Sequence, residues 1–252
     1  MNQNKANNIQ TLKIEEWGFG KSNPQFINRT MNKFIVKILK TYYVTHDVKC
    51  IVVEKPAGYN FISGQATNIS IHLPEWENEL HPFSFTSVAE QDYLEFMIKI
   101  YGNHEGCTKI LADLIVGDEL IIHDVFGTIK YEGAGIFIAG GTGVTPFISI
   151  FRDLHKNNKI AGNKLIYFSK TSSDVIREEE LLSMFNLNFV KLFTREIVGG
   201  RMPKVIDLNF LIENVTDFQQ KFYVCGSDEF VENNIALLYT MGASIKNVVF
   251  EK

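Results

Sequence analysis

One segment limits the folds open to this chain more than any other. Ile136-Phe137-Ile138-Ala139 runs straight into Gly140-Gly141-Thr142-Gly143-Val144-Thr145-Pro146, and Phe147, Ile148, Phe151 and Leu154 then recur at helical spacing. A short apolar run, a glycine turn and an amphipathic helix predict a strand–turn–helix unit of a parallel α/β sheet. The glycines let backbone N–H groups come close to a ligand. The helix N-terminus behind them carries partial positive charge, worth ~0.3–1 kcal/mol toward an anion at exposed sites. Thr145 is placed to cap the helix, and Pro146 suits its first turn. A turn that needs glycine only for its geometry is the rival reading. The flanking strand and helix favour phosphate binding.

The alternation continues to the end of the chain. Strands are expected at 135–139, 165–168, 188–194, 222–225 and 248–250, with helices at 145–155, 178–185 and 228–241. Upstream the pattern differs. Strand-like runs at 34–39, 50–53, 66–72, 93–99 and 119–122 are separated by turns such as Lys55-Pro56-Ala57-Gly58 and Val116-Gly117-Asp118. One short helix, about 108–114, interrupts them. Short strands with regular turns suggest a small antiparallel barrel. The expected architecture is thus a β-barrel at 31–130 followed by a parallel α/β domain at 131–252, each long enough for its own core. Residues 1–30, rich in Asn, Gln and Lys around an isolated Trp17 and Phe19, read as a flexible N-terminal extension.

Composition removes several function classes. With 45% hydrophobic and 21% charged residues the chain reads as globular, and a net charge of -4 argues against a broad nucleic-acid surface. Cys50, Cys107 and Cys225 are scattered, with no C-x-x-C pair, so no zinc or iron–sulfur motif is expected. With no apolar leader and no run of ~18 apolar residues, the expectation is a cytoplasmic protein without a membrane span.

Two further segments carry chemistry. The strand after the glycine loop ends in Ser169-Lys170 rather than in the acid that binds the ribose of NAD. A hydroxyl and a cation suit the extra 2′-phosphate of NADP, and Arg195 and Arg201 can add to it. In the barrel half, His81-Pro82-Phe83-Ser84-Phe85-Thr86-Ser87 places a flat ring beside a hydroxyl, and Pro82 should confine that strand to a sheet edge. Strand alternation sends Phe83 and Ser84 to opposite faces unless the chain bends at Pro82. An ordinary edge strand with a core Phe stays equally open.

Taken in order, six segments resemble the ferredoxin–NADP reductase family: Gly64-Gln65; His81-Pro82-Phe83-Ser84; Lys99 with Gly106-Cys107-Thr108; Gly140 to Pro146; Thr194-Arg195-Glu196; and Cys225-Gly226. The resemblance runs from residue 33 to 252 and implies an FAD-binding antiparallel barrel followed by an NADP-binding α/β domain. It implies that Phe83 lies against the flavin and that Ser84 bonds its reactive nitrogen. His81, Pro82 and the strand Met97-Ile98-Lys99 belong to the same FAD site. Gly106, Cys107 and Thr108 would cradle the FAD pyrophosphate, and Gly141, Thr142, Gly143 and Thr145 that of NADP. Ser169, Lys170, Thr194 and Arg195 would take the 2′-phosphate. Cys225 and Gly226 would lie at the nicotinamide, and Phe250 and Glu251 near the flavin. Ser84, Cys225 and Glu251 are the implied catalytic residues. The family more often has Arg at the position of His81. Arg gives a charge-assisted bond worth ~1.5–3 kcal/mol, whereas a neutral His donates one ordinary bond. The H-P-F-S form is similar to the ferric reductase and NADPH oxidase branch, which also binds FAD.

The resemblance implies a soluble FAD-dependent NAD(P)H reductase, with NADPH favoured and NAD possible. It would pass electrons to ferredoxin or flavodoxin, with Lys37, Lys40, Lys99 and Lys109 as a docking patch. A reductase of ferric chelates or free flavin is the first alternative. A non-catalytic FAD-binding electron-transfer subunit of a larger complex is the second.

Overall fold

The computed structural model describes residues 32–102, 106–197 and 206–251. The expected N-terminal extension, Arg201 and Lys252 lie outside the described residues. Six strands form one antiparallel sheet: β1 (Phe34–Tyr43), β2 (Val48–Glu54), β3 (Ala66–Ile71), β4 (His81–Ser84), β5 (Tyr93–Lys99) and β6 (Glu119–Phe126). Their order is β4-β3-β6-β1-β2-β5, and helix α1 (Cys107–Asp113) sits between β5 and β6 in the chain. The second sheet is wholly parallel: β7 (Gly135–Gly140), β8 (Lys164–Ser169), β9 (Phe189–Phe193), β10 (Lys221–Cys225) and β11 (Val248–Phe250), ordered β11-β10-β7-β8-β9. Helices α2 (Thr145–Lys156), α3 (Glu178–Phe185), α4 (Leu208–Asn214) and α5 (Asp228–Thr240) connect its strands. This is the fold class expected from the sequence. No helix among the described residues is long and apolar enough to cross a membrane.

Two apolar cores explain the sequence pattern. The first lies inside the antiparallel sheet and gathers Val36, Ile38, Ile51, Ile69, Phe85, Leu94, Phe96, Ile98 and Leu120. The second surrounds the parallel sheet and includes Phe137, Phe147, Phe151, Tyr167 and Tyr223. Val48, Cys50 and Met97 join this second core although they belong to β2 and β5. Those strands are therefore covered on both faces, and this is why β5 reads Leu-Glu-Phe-Met-Ile without polar alternation. The phenylalanine excess goes largely into packing. Phe137 stacks on Tyr223 at 4.2 Å between centroids and meets Phe151 edge-on at 4.7 Å.

The structure differs from the sequence expectations in three places. β1 continues to Tyr43, because its second half pairs with β2 beyond a bulge near Leu39. Helix α4 was not expected. Its seven residues carry too little periodicity to register, although Asp207 caps it by accepting from the Phe210 N–H at 2.7 Å. The third is a correction at Thr145. This residue does not cap α2 but is its first helical residue, and its hydroxyl donates back to the Thr142 carbonyl at 2.9 Å. A 3-10 turn, Gly141–Val144, leads into the helix instead, and no side chain caps either element.

Candidate active site

The topology itself marks a crevice. From β7 in the middle of the parallel sheet the chain moves out through β8 to β9, then returns to the other side of β7 with β10 and β11. The connections of β7 and β10 therefore leave in opposite directions, and a gap opens beyond their carboxyl ends, where open α/β sheets bind ligands. Gly140 ends β7 and Cys225 ends β10, with Ala139 and Cys225 directly opposite.

The two loops at this gap touch. A Cβ on Gly143 would lie 2.3 Å from the Cys225 carbonyl oxygen and 2.6 Å from the Gly226 nitrogen, so only glycine fits. Gly141 has φ +55° and open space where a Cβ would stand, which leaves its backbone exposed to a ligand. Beneath the gap, Phe230 of α5 fills the floor. Cβ atoms on Gly140 and Gly226 would come within 3.0 and 2.6 Å of its ring. Sequence reasoning missed Phe230, and its only local signal was an aromatic four residues after Gly226.

Ser169, Lys170, Thr194 and Arg195 come together at the ends of β8 and β9. The Thr194 N–H donates to the Ser169 carbonyl at 3.0 Å and the Arg195 N–H to the Lys170 carbonyl at 2.9 Å. Lys170 and Arg195 are exposed, while Ser169 is buried and its hydroxyl donates to the Thr171 carbonyl. β8 ends without an acid, as its sequence reads, but Glu196 of the Thr194-Arg195-Glu196 segment lies beside that end. Its carboxylate accepts from the Ser172 N–H and from the Ser172 hydroxyl.

The C-terminal strand carries the parallel sheet to the antiparallel one. The Thr128 hydroxyl donates to the Phe250 carbonyl at 3.0 Å, and a Cβ on Gly127 would meet the Glu251 carboxylate at 3.2 Å and the Ala66 nitrogen at 3.4 Å. Ala66 pairs with Ser84 across β3 and β4, so Ser84, Gly127 and Glu251 surround one backbone position. Burial raises the Glu251 pKa, so this acid keeps its proton to higher pH than an exposed one. Burial, and then the Glu251 charge, push the half-buried Cys225 thiol up to about 12, so it stays neutral and is no thiolate nucleophile at neutral pH.

β4 lies at the sheet edge, in register with β3 from His81 opposite Ile69 to Ser84 opposite Ala66. The chain does not bend at Pro82, so Phe83 and Ser84 point to opposite faces. Phe83 packs partly on the first core. The Nε2 of His81 is buried with no hydrogen-bond partner among the described residues, which suits a ligand acceptor. At α1, Gly106 is extended with open space at its Cβ, no side chain caps the helix, and Cys107 turns its side chain into the first core. Burial, and then the charge of Glu79, two residues before His81, push the Cys107 thiol up to about 11. Met97 and Ile98 bury their side chains in the second and first cores, so only their backbone, on an edge strand paired with β2 alone, faces outward. Lys99 forms an ion pair with Asp47.

Sequence reasoning also missed Lys49. This lysine is only 4% exposed, and its Nζ donates to the carbonyls of Leu111 (3.1 Å), Ala112 (2.7 Å) and Leu114 (2.7 Å). It therefore holds the carboxyl end of α1, where a cation complements the helix dipole. A half-buried histidine whose Nε2 finds no partner among the described residues, uncapped helix starts and glycines with open approach fit an FAD on the antiparallel side and a dinucleotide across the β7/β10 gap.

Comparison with known proteins agrees. The FAD-binding domain family model matches residues 33–125, and the oxidoreductase NAD-binding domain model matches 137–234. The reductase component of propane 2-monooxygenase from Rhodococcus jostii (strain RHA1) is 26% identical over 216 residues, 79% of this chain and 57% of that protein. Dual oxidase 2 from Sus scrofa is 27% identical over 179 residues, 62% of this chain and 12% of that protein. The chain thus spans little more than half of the first relative and a small part of the second. Among solved structures, a ferredoxin NADP+ reductase from Neisseria gonorrhoeae with bound FAD and NADP superposes with a TM-score of 0.75 at 18% identity, covering 87% of this chain and 98% of that one. The flavohemoprotein-like FAD/NAD-binding domain of nitric oxide dioxygenase from Vibrio cholerae O1 gives 0.74 at 18% identity, covering 86% and 97%.

Proposed function

Because this chain belongs to the ferredoxin–NADP reductase-like family of FAD- and NAD(P)-binding oxidoreductases, we propose that it is an NADPH-oxidising reductase that donates electrons to a separate acceptor protein. The observation that carries the reading is the meeting of the two lobes around Ala66, with Ser84 and Gly127 on one side and Glu251, the residue immediately after β11, on the other. Bound FAD would supply the chemistry by taking a hydride from the nicotinamide and returning electrons one at a time.

This chain's residues orient and exclude. Gly141 to Gly143 and the start of α2 would hold the coenzyme pyrophosphate, and Gly106 to Thr108 that of FAD. His81, with its unpartnered Nε2, would bond a phosphate or ribose oxygen. Phe250 would flank the flavin ring, and Phe83 would reach it from the face of β4 opposite Ser84, with the ring along the open edge of that strand; the backbone of Met97, Ile98 and Lys99 would line its site. Ser84 would hold the ring nitrogen that receives the hydride. Cys225 and Gly226 would pack against the nicotinamide, with the neutral thiol tolerating an apolar ring. Glu251, which keeps its proton more readily than an exposed acid, would supply protons at the flavin edge. Exposed Lys170 and Arg195, beside Ser169 and Thr194, support NADPH over NADH.

The acceptor lies outside residues 32–251. Cys50 and Cys107 are buried and Cys225 lies in the gap, so the three supply no cluster. Ferredoxin, flavodoxin and an oxygenase component are the acceptor classes in view. A lysine docking patch loses support at Lys99, which is paired with Asp47, and at Lys40, whose Nζ lies 4.8 Å from the Tyr42 ring centre. The test is to reduce FAD-loaded protein anaerobically with NADPH and then offer acceptors. Fast one-electron turnover with a small redox protein supports the proposal. Turnover only with ferric chelates or free flavin favours the first alternative.

A further inference from the structure

One charged cluster lies outside the site described and joins its two halves. Arg152, on the third turn of α2, donates through Nη1 to Glu95 at 2.5 Å and to the Thr86 carbonyl at 2.8 Å. The remaining fork of the same guanidinium holds Glu180 of α3, Nε to Oε1 at 2.5 Å and Nη2 to Oε2 at 2.9 Å. Glu95, on β5, is 6% exposed. It also accepts from the Thr86 hydroxyl at 2.8 Å, and its backbone N–H donates to the Ser87 hydroxyl at 3.1 Å. Arg177 completes the group, 3.7 Å from Glu95 and bonded to the Tyr42 hydroxyl.

Two cations and two anions balance, and every contact of Arg152 is to a charged or carbonyl oxygen. Such a buried pair gives little net stability, because desolvation offsets most of its attraction. What it does fix is geometry: a bidentate guanidinium holds its partners in one plane and orientation. Its partners here are unusual. Thr86 lies two residues beyond Ser84 on the antiparallel side, and Arg152 lies on the helix that follows the Gly141–Val144 turn. One side chain, carried by the helix that follows the coenzyme loop, therefore bonds the peptide two residues beyond Ser84, Glu95 of β5 and Glu180 of α3.

We propose that Arg152, held by Glu95 and Glu180, is a positioning residue that sets the approach of the nicotinamide to the flavin. The inference rests on the proposed hydride transfer, and it makes Arg152 and Glu95 necessary for the rate of that step rather than for binding either cofactor. Holding reactants in a productive geometry accounts for a large part of such rates, and a misplacement of about 1 Å can cost about 10²-fold.

The test uses Arg152→Lys, which keeps the charge but lacks the planar fork that bonds these four oxygens at once. Three quantities are measured on the FAD-loaded chain: FAD affinity, the anaerobic flavin-bleaching rate at saturating NADPH, and the NADPH concentration that gives half that rate. Amide hydrogen exchange at Thr86 and Ser87 is followed with and without FAD. The expected result is unchanged FAD affinity and half-saturation, a bleaching rate lower by roughly 10- to 100-fold, and faster exchange at Thr86 and Ser87 in both states. An unchanged bleaching rate, even with a lowered melting temperature, overturns the proposal and leaves the cluster a stability element. If Arg152→Lys does not fold, Glu95→Gln is read in the same way. Wild-type protein that NADPH does not bleach would sink the hydride reading itself, while the exchange data would still report whether Arg152 orders the Thr86 segment.

Discussion

At the scale of single residues the site depends on close backbone approach and on buried protons. Gly143→Ala would push a methyl into the Cys225–Gly226 peptide, which cannot move aside as a flexible side chain could. Overpacking of this kind costs about 1–3 kcal/mol, and the two loops must part to relieve it. The expected result is a melting temperature lower by roughly 2–4 °C per kcal/mol, together with weaker NADPH binding, read by calorimetry and coenzyme titration. Gly141→Ala has room for its Cβ, so its penalty would come from its positive φ and from the ligand side. Glu251 gives a pH prediction. Its folded pKa lies above the ordinary carboxyl value, so its protonated form falls away as pH rises through that raised value. The reductase rate should decline over the same window, and Glu251→Gln should remove that limb and lower the maximal rate by about 10²-fold with FAD affinity unchanged. A pH–rate profile of the two proteins decides it. An unaltered limb in the variant would clear Glu251 of the role.

At the scale of elements, α1 depends on a residue far from it in sequence. Lys49 donates to three carbonyls at its carboxyl end, and Lys49→Met would remove that donor from all three, at about 1–3 kcal/mol. If the helix start cradles FAD, its loosening should raise the FAD dissociation constant about tenfold, measured by flavin fluorescence. Unchanged FAD affinity in a destabilised variant would separate α1 from the cofactor. The same element shows what the sequence could and could not reveal. Nearly every strand and the longer helices were legible, because apolar periodicity and glycine turns are local signals. Ile136 to Pro146 alone announced the parallel half. Three features were not legible because their causes are distant: β1 runs on to Tyr43 by pairing with β2, α4 is too short to show a period, and Lys49 reads as an ordinary strand lysine until α1 is placed over it. Thr145 carried a cap signal that the 3-10 turn before it overrode. Within the site, Phe230 reaches the gap only through the folding of α5, and Glu196 reaches Ser172 only through the alignment of β8 with β9.

At the scale of the whole molecule, the two sheets share more than a linker. Val48, Cys50 and Met97 of the antiparallel sheet are buried in the core of the parallel one, the Phe250 carbonyl is bonded by Thr128, and Arg152 spans from α2 to β5. This packing predicts a single cooperative unfolding transition rather than two. The charged cluster gives it an acid limb. Burial works against ionisation of Glu95, but the Arg152 charge, their hydrogen bond and Thr86 outweigh it and hold the carboxyl below its ordinary range. Its contribution is therefore complete above the ordinary carboxylate pKa and is lost as pH falls through the lowered folded value. Denaturant titrations across that range should show a shallower loss of stability in Glu95→Gln, and equal slopes would remove Glu95 from the acid response. The central claim is that the two lobes bring a nicotinamide and a flavin together, with Lys170 and Arg195 choosing the phosphorylated coenzyme. Its most direct test is to load the protein with FAD and mix it anaerobically with NADPH and, separately, with NADH, following the yellow absorbance. The account predicts complete bleaching, faster with NADPH. A flavin that stays yellow with both coenzymes would contradict it.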